Sequence, residues 1–430
     1  MGENNTVNRL VLSIFAAACL TAPALATDDP LDPIFAKLHF DGWKTDKTAA
    51  PFKWNVEVEP VILSNHQRWL ARINVNIDGE ELLSRKGNGA LLVLFQFQDS
   101  AGRLYQDHGL LDLRKVEIGA KSQIIVYTES AFVMPGNYPL AIGVFDTTSK
   151  QHWFRRENLK VPNYKSDPLP FSWRDLPPVE FHPVEETPDS WFLPTVTSKL
   201  HLPLETRHPL KVDILVNLTP SERAASSQRI QDRNLSVLLP TMKVLSQMEM
   251  RTGSLNVSSA DLERQKITFQ QQAVQRLDWA KMRSALTADQ VGTIDVKSLG
   301  DREHSAQFFL GEIGKRLHTA DVLIILSSSV RFEQGMDLEP MHAEGTPDCR
   351  VYYIRYHPPP VRYVVQQQQV IRGRRVPISP PGRGITQLGP TAVDQLEPTL
   401  KLLKHKLYDV QTPEEMRKAL ADLIAELSSI

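Results

Sequence analysis

Short apolar runs separated by turn sequences fill the chain from residue 52 to residue 164. The runs read WNVEVEPVIL, WLARINVNI, ALLVLFQFQ, SQIIVYTESAFV, YPLAIGVFD and LKVP. Between Trp54 and Val58, apolar and polar side chains alternate, which is typical of a strand with one buried face. Turn sequences such as Asp78-Gly79 separate successive runs. The pattern predicts a series of antiparallel strands.

About six or seven such strands fit a β-sandwich of the immunoglobulin-like kind, which we assign to residues 52–164. We assign residues 27–51 to an N-terminal linker. Residues 165–209 are rich in proline, which disrupts both strand ladders and helix interiors. We therefore predict an ordered, extended connector over this range. Its large apolar side chains are expected to pack against the neighbouring domains: Phe171, Trp173, Trp191 and Phe192.

Strand-like and helix-like patterns alternate from residue 210 to residue 430. Predicted strands include KVDILVNL, SLNVSSADL, KITFQQ, TIDVKSL, ADVLIILSSS, RVYYIRY and KLYDV, and predicted helices include LDWAKMRSAL and HSAQFFLGEIGKRL. The last helix begins with Thr412 at the N-cap and Glu415 at the capping-box position. Such alternation predicts an α/β domain with a doubly wound, largely parallel sheet.

The N-terminal residues 1–26 have the pattern of a cleavable export signal. Arg9 precedes an apolar stretch, and Ala24 and Ala26 form a small-residue cleavage motif. The alternative is an uncleaved membrane anchor, but the apolar stretch is shorter than the roughly 18 to 20 residues that span a bilayer. Lipid attachment at Cys19 is left open. We expect an exported chain, periplasmic or secreted, with no transmembrane segment after cleavage.

Charge and cysteine content narrow the classes of partner. The formal net charge is −1, which gives no general attraction to nucleic acid or to an anionic membrane. The chain has two cysteines, and cleavage of the signal would remove Cys19 and leave Cys349. No intramolecular disulfide is therefore expected. We interpret Cys349 as a partly buried, small apolar residue. The sequence leaves the oligomeric state open.

The strand ILVNL continues into TPSE, which places Asn217, Thr219 and Ser221 at alternate positions after a buried run. With the order of strands and helices that follows, this stretch resembles the first strand of von Willebrand factor type A domains found in exported bacterial proteins. The resemblance covers residues 210–430. It implies a doubly wound sheet and a binding edge at which the family often holds a metal ion through a D-x-S-x-S motif.

Two departures from that motif argue against a metal site here. Asn217 stands where the family has a carboxylate, and Ser327 to Ser329 stand where the family has S-D-G. Mg²⁺ needs anionic oxygen ligands to offset its dehydration. We therefore predict no metal and no cofactor, Mg²⁺ included. Asn217, Thr219, Ser221 and Ser328 remain candidate binding positions. We expect the first three to cap a helix and to bond the adjacent loop.

A second cluster of polar residues lies between Asp337 and His342. Glu339 and His342 have E-x-x-H spacing, but Pro340 lies between them and no second E-x-x-H occurs. A solvated acidic loop is the simpler interpretation. The usual protease, esterase and nucleotide-binding motifs are absent. A hydrolase of unrecognised type, with its site near Ser327–Ser329 or Asp337–His342, is the alternative to a binding protein.

The range 357–390 forms a basic loop between two predicted strands. It carries Arg372, Arg374 and Arg375, and no acidic residue occurs between Asp348 and Asp394. Arginine pairs well with phosphate and carboxylate groups, so the loop could hold an anionic envelope polymer or lipid headgroup. The alternative is a solvent-exposed loop between two strands of the sheet that binds no partner.

Taken together, these patterns predict an exported, non-catalytic binding or scaffold protein. We expect a protein or cell-envelope partner, and no nucleic acid, at the top loops of the α/β domain.

Overall fold

The computed structural model describes most of the chain outside the N-terminal segment. The described residues are 31–46, 51–85, 89–116, 123–181, 198–219, 228–288, 302–330, 332, 338–341, 348–357, 368–371, 374–377 and 394–430. The predicted signal 1–26, Trp191, Phe192 and the predicted strand TIDVKSL lie outside the described residues. Within them the protein is mixed, with helices and several separate β-sheets.

Two antiparallel sheets contain the nine described strands before residue 182. The first sheet contains β1 (Trp54–Val58), β2 (Ile62–Leu63), β3 (Trp69–Asp78), β6 (Ile124–Val133) and β9 (Val179–Phe181). The second contains β4 (Ala90–Gln98), β5 (Leu104–Asp112), β7 (Gly136–Asp146) and β8 (His152–Val161). A short helix α2 (Gly79–Ser84) follows β3. One apolar core joins the two sheets, with contributions such as Val75, Phe95 and Val144.

β4 is buried on both faces, and the cause lies outside the core that the two sheets share. Helix α1 (Pro33–Lys37) and a 3-10 turn at Phe40–Lys44 lie over the outer face of the second sheet, where they form a separate apolar cluster. Gly143 in β7 permits this approach, because a Cβ there would lie 2.6 Å from Phe40 and 2.8 Å from Trp43. The prediction of a linker over 27–51 missed this packed segment.

The second half of the chain contains a six-stranded sheet. Its strands are β11 (Leu210–Asn217), β13 (Gly253–Asp261), β14 (Lys266–Gln271), β15 (Val322–Ser328), β16 (Arg350–Tyr356) and β19 (His405–Val410). Their order across the sheet is β14-β13-β11-β15-β16-β19. All neighbours are parallel except β13 and β14, which are antiparallel.

Helices accompany this sheet, and the same half of the chain contains two smaller pairs of strands. The helices are α3 (Gln228–Leu245), α4 (Trp279–Ala288), α5 (Arg302–Leu317), α6 (Leu396–Leu400) and α7 (Pro413–Ser428). The smaller strands are β10 (Leu202–Leu204) paired with β12 (Met248–Met250), and β17 (Gln368–Ile371) paired with β18 (Arg374–Pro377). The strands and helices predicted after residue 210 are confirmed where they are described, apart from shifts of a few residues at their ends. In the first half, LKVP matches only the last residues of β8, which begins at His152.

The central strand β15 is buried along its whole length because both faces of the sheet are covered. One face packs with α3 and α7 in a cluster that includes Ile214, Leu238 and Leu420. The other face packs with α5 in a cluster that includes Ile325 and Phe309. As predicted, the Thr412 side chain accepts the Glu415 N–H, and the Glu415 carboxylate accepts the N-cap N–H, so both arms of the capping box form.

The segment after residue 164 is ordered where it is described, and it packs on the α/β half. Trp173 is buried in the same cluster as α7, and its indole N–H donates to the carbonyl of Gln67 at 2.7 Å. The prediction for Phe171 is wrong, because its side chain is 70% exposed. Within this segment Asp167 forms two hydrogen bonds of 2.7 Å with Arg417, a fully buried residue of α7. The connector is therefore tied to both halves of the chain.

Candidate functional site

The carboxyl ends of β11 and β15 meet at the centre of the six-stranded sheet. If its strands are numbered 1 to 6 in chain order, their spatial order is 3-2-1-4-5-6, so the winding reverses between β11 and β15. In open α/β sheets, ligands bind at such a reversal, outside the carboxyl ends of the strands. Asn217 ends β11, and Ser327 and Ser328 end β15. The geometry of these groups therefore decides what this edge can bind.

Asn217 is only 2% exposed, and both the nitrogen and the oxygen of its amide are hydrogen-bonded to neighbours. The Nδ2 atom donates to Ser327 Oγ at 2.9 Å, and the Oδ1 atom accepts the Thr219 N–H at 3.0 Å. Ser327 Oγ donates in turn to the carbonyl of Ser328 at 2.6 Å. This chain of bonds joins the two central strands by neutral groups. It confirms the expectation that Asn217 bonds the adjacent loop.

Thr219 fixes a second neighbouring strand. Its Oγ1 accepts the N–H of Leu262 at 2.6 Å, directly after β13. Residues 220–227 lie outside the described residues, so the expected helix cap at Thr219 and the position of Ser221 stay predictions. Among the described side chains, Ser328 Oγ is buried and has no hydrogen-bond partner.

A divalent cation does not fit the described groups at this reversal. Asn217, Thr219, Ser327 and Ser328 contribute no carboxylate. The side-chain oxygen atoms of Asn217, Thr219 and Ser327 are already bonded to one another and to backbone groups. A hard cation such as Mg²⁺ needs anionic oxygen to offset its dehydration, and neutral hydroxyls do not supply it.

A chain of polar side chains crosses three strand ends beside the reversal. The register pairs Ser328 with Tyr356 and Arg355 with Asp409. The His357 N–H continues that ladder by donating to the carbonyl of Val410 at 2.8 Å. Consequently Ser329 Oγ lies 3.4 Å from His357 Nδ1, and His357 Nε2 lies 2.9 Å from Asp409 Oδ1.

Arg355 holds the acidic groups of this edge. Its guanidinium bonds both oxygens of Asp409 at 2.6 and 2.8 Å, and it also contacts Glu397 at 2.7 Å and Asp394 at 3.2 Å. The bond to Asp409, more than any other contact, raises the pKa of Arg355. Reciprocally, the hydrogen bonds from Arg355 lower the pKa of Asp409, so that carboxylate is charged at neutral pH. Arg355 is therefore not free to bind an external anion.

Asp394 is a buried anchor in the same network. Its side chain is 3% exposed, and it accepts the Val330 N–H at 2.6 Å and the Tyr353 hydroxyl at 3.2 Å. Burial is the largest cause of the raised pKa of Tyr353, and the nearby Asp394 charge adds to it. These bonds fix the backbone after β15, next to Ser329. The sequence interpretation used Asp394 only to bound the basic stretch and missed this role.

The side chains of the other predicted site residues are for the most part outside the described structure. Arg372 lies outside the described residues, and Arg374 and Arg375 belong to β18, of which only the backbone is described. Asp337 and His342 also lie outside the described residues, whereas Glu339 is described and exposed. The predictions of an anion site on the basic loop and of a hydrolase site at Asp337–His342 therefore stay predictions.

Cys349 is buried as expected. The thiol is free, and burial raises its pKa to about 11, so it is a poor nucleophile at neutral pH.

One group of metal-type ligands occurs within the described part of the chain, at strand β5. Asp32, Asp107 and His108 each offer a ligand atom, and these atoms lie within 4.8 Å of one another. Asp32 also bonds His108 directly. Close by, Glu129 on β6 is buried, and desolvation, followed by the charge of Asp107, raises its pKa to about 8. No spacing in the sequence indicates this group, because Asp32 is far from β5 along the chain.

Comparisons with known proteins identify no relative of the whole chain. No protein-family model and no curated protein matches it. Among solved structures, a Northeast Structural Genomics Consortium target called SoR45 has 15% identity and a TM-score of 0.18, over 26% of this chain and 87% of that one. A Bordetella pertussis protein assigned as ApaA has 13% identity and a TM-score of 0.17, over 27% of this chain and 99% of that one.

A third similar structure is a β-glucosidase from Listeria innocua in complex with gluconolactone. Its identity is 12% and its TM-score 0.16, over 26% of this chain and 16% of that one. Similarity at this level supports neither a family nor an activity for this chain. Among the described helices, none combines the length and the apolar character needed to cross a bilayer.

Proposed function

We propose that the protein is an exported binding or scaffold protein, whose α/β domain engages a protein or cell-envelope partner at the carboxyl edge of its six-stranded sheet. In this proposal the domain is a degenerate von Willebrand factor type A-like domain, and the preceding sandwich is immunoglobulin-like. The observation that carries the proposal is the bond between Asn217 and Ser327 at the reversal of strand order.

Several features of the sheet support a type A-like interpretation. Five of the six strands are parallel, the antiparallel strand β14 lies at one edge, and both faces carry buried clusters. The strand ends at Asn217 and Ser328 occupy the positions that the resemblance gives to the binding site. Because Asn217, Thr219 and Ser327 are neutral and already bonded to one another and to backbone groups, the edge would recognise a partner by shape and hydrogen bonding, without a metal bridge.

Export rests on the amino-acid pattern of residues 1–26. A fusion of these residues to alkaline phosphatase, which is active only after export, is expected to give activity in a bacterial host. The matched control replaces Leu12 and Phe15 of the apolar stretch by arginine, which is expected to abolish that activity. Equal activity of both fusions would contradict the proposed export signal.

The binding edge can be tested by photo-crosslinking at the two ends of β13. Lys266 is exposed beside the carboxyl end of β13, whereas Arg251 is exposed just before its amino end. A photoreactive residue is introduced at either position in the full chain, in the native host. A discrete crosslinked partner is expected from position 266 and not from position 251. Crosslinks of equal yield from both positions, or none from position 266, would refute the proposal.

A further inference from the structure

We infer that Ser329, His357 and Asp409 form a nucleophile, a general base and an orienting carboxylate that cleave carboxylic esters at the carboxyl edge of the sheet. This activity goes beyond binding, because it assigns acyl transfer to this edge. It depends on the geometry of three strand ends and not on the identity of the proposed partner.

The distances form one continuous path. Ser329 Oγ lies 3.4 Å from His357 Nδ1, and His357 Nε2 lies 2.9 Å from Asp409 Oδ1. A neutral imidazole has a single N–H. If that N–H is on Nε2 and donates to the Asp409 carboxylate, Nδ1 is left to accept the hydroxyl proton of Ser329. One tautomer therefore satisfies both contacts and has the polarity that a serine nucleophile requires.

The surroundings position each group. The His357 backbone is held by its bond to Val410, and both oxygens of Asp409 are held by Arg355. The backbone beside Ser329 is held by the bond from the Val330 N–H to Asp394. A nucleophile, a base and a third group that orients the base make up the arrangement by which such sites are recognised on unrelated folds.

Exposure increases along the path. Ser329 is 9% exposed, and the side chains of His357 and Asp409 are 24% and 49% exposed. Ser327 and Ser328, in contrast, are fully buried. Ser329 is thus the least buried of the three serines and the one with a histidine partner. The distance of 3.4 Å between Ser329 and His357 is longer than that of a strong hydrogen bond, as is common before a substrate is bound.

The reaction can be written with a balanced transfer of atoms. Ser329 Oγ attacks the ester carbonyl carbon, and its proton moves to His357 Nδ1. Collapse of the tetrahedral adduct breaks the bond to the alcohol oxygen, which takes the proton from His357. Water then repeats the sequence on the acyl-serine, which releases the carboxylic acid and restores the hydroxyl of Ser329. Asp409 stabilises the positively charged imidazole during both steps.

A fluorophosphonate probe tests the nucleophile directly, because it forms a stable phosphonyl-serine with loss of fluoride. The full chain is incubated with the probe, and the modified peptide is identified by mass spectrometry. Labelling is expected at Ser329, and Ser329→Ala is expected to abolish it. His357→Ala is expected to slow labelling by about 10² to 10⁴, the usual contribution of a general base. No labelling of the native chain, or equal labelling of Ser329→Ala, would overturn the inference.

Two controls come from the opposite edge of the same sheet. Ser254 lies at the amino end of β13 and His405 at the amino end of β19. Ser254→Ala and His405→Ala are expected to label at the native rate. Thermal melting of every variant checks that the fold is retained.

Hydrolysis of p-nitrophenyl acetate tests the orienting role of Asp409. Asp409→Asn is expected to lower kcat and leave KM nearly unchanged, whereas equal kcat values for variant and native chain would contradict that role. Failure of these tests would remove the catalytic inference, but crosslinking from position 266 would be unaffected.

Discussion

Removal of either partner of the ion pair between Arg417 and Asp167 is expected to destabilise the chain. Arg417 is 0% exposed, although arginine is among the residues least often buried. Its guanidinium forms two bonds of 2.7 Å with Asp167 and a third of 2.7 Å with Ser172 Oγ, and it lies 4.4 Å from the ring centroid of Trp173. The pair therefore fastens α7 to the connector.

Arg417→Ala would leave Asp167 without its buried partner. Removing one member of a buried, hydrogen-bonded pair typically costs about 3 to 5 kcal/mol, because the remaining charge is poorly solvated. We expect a loss of that size in the free energy of unfolding. It can be measured by urea denaturation with tryptophan fluorescence, to which the adjacent Trp173 contributes.

Lys418→Ala is the matched control, because Lys418 is the next residue of the same helix and is exposed. This substitution is expected to leave the unfolding midpoint nearly unchanged. Asp167→Ala should also lower the free energy of unfolding. The double variant Asp167→Ala/Arg417→Ala should lose less free energy of unfolding than the sum of the losses in the two single variants. If Arg417→Ala loses no more stability than Lys418→Ala, the proposed contribution of the pair is wrong.

Three further predictions concern other parts of the chain. Asn217→Asp replaces the amide donor to Ser327 by a buried carboxylate. We therefore expect the free energy of unfolding at neutral pH, measured by urea denaturation, to fall on the order of 1 to 3 kcal/mol. An unchanged free energy of unfolding would contradict this prediction. Burial raises the pKa of Glu129 from 4.5 to about 8, so the folded state binds more protons than the unfolded state between these values. Stability should therefore fall as pH rises through that window, and Glu129→Gln should flatten this part of the pH profile of melting temperature. A profile unchanged by the substitution would count against that assignment. Gly143→Ala would place a Cβ 2.6 Å from Phe40, which should loosen the packing of the segment 33–44. Trypsin should then cleave at Lys37 and Lys44 faster than in the native chain. Equal cleavage rates would show that the clash is relieved without loosening this segment.

The sequence predicts elements well where local pattern and burial agree. The capping box at Thr412 and Glu415 follows from four adjacent residues, and the apolar strand VLIILSS is buried on both faces as its composition indicates. In contrast, β5 was not predicted, because LYQDHGLLD contains mainly polar residues in its first half. As an edge strand it tolerates them, since it is hydrogen-bonded to β4 alone.

The candidate site was predicted in part. Asn217 and Ser327 could be assigned to one edge, because parallel strands bring their carboxyl ends together. The contact between His357 and Asp409 spans 52 residues along the chain, and it depends on the exact register of β16 and β19. A single sequence contains no local signal for that register. For the same reason the sequence does not predict that Arg355 lies among three carboxylates, as it does in the structure.

Phe171 shows a different limit of sequence reasoning. Its neighbour Trp173 is buried and Phe171 is 70% exposed, although both lie in the same aromatic, proline-rich segment. Composition predicted that large apolar side chains of this segment would pack, but only the path of the backbone decides which of them face the α/β half.

Binding at the carboxyl edge of the sheet without a metal is the central claim to be tested. The most direct test is the melting temperature of the full chain in excess Mg²⁺ or Mn²⁺ compared with EDTA. A ligand at about 100 times its Kd would stabilise the fold by about 2.7 kcal/mol. His108→Ala, measured in parallel, removes any contribution from the Asp32–Asp107–His108 group. We predict that neither ion raises the melting temperature of His108→Ala. The claim would be contradicted if either ion raised that temperature by several degrees and the additional substitution Asn217→Ala abolished the rise.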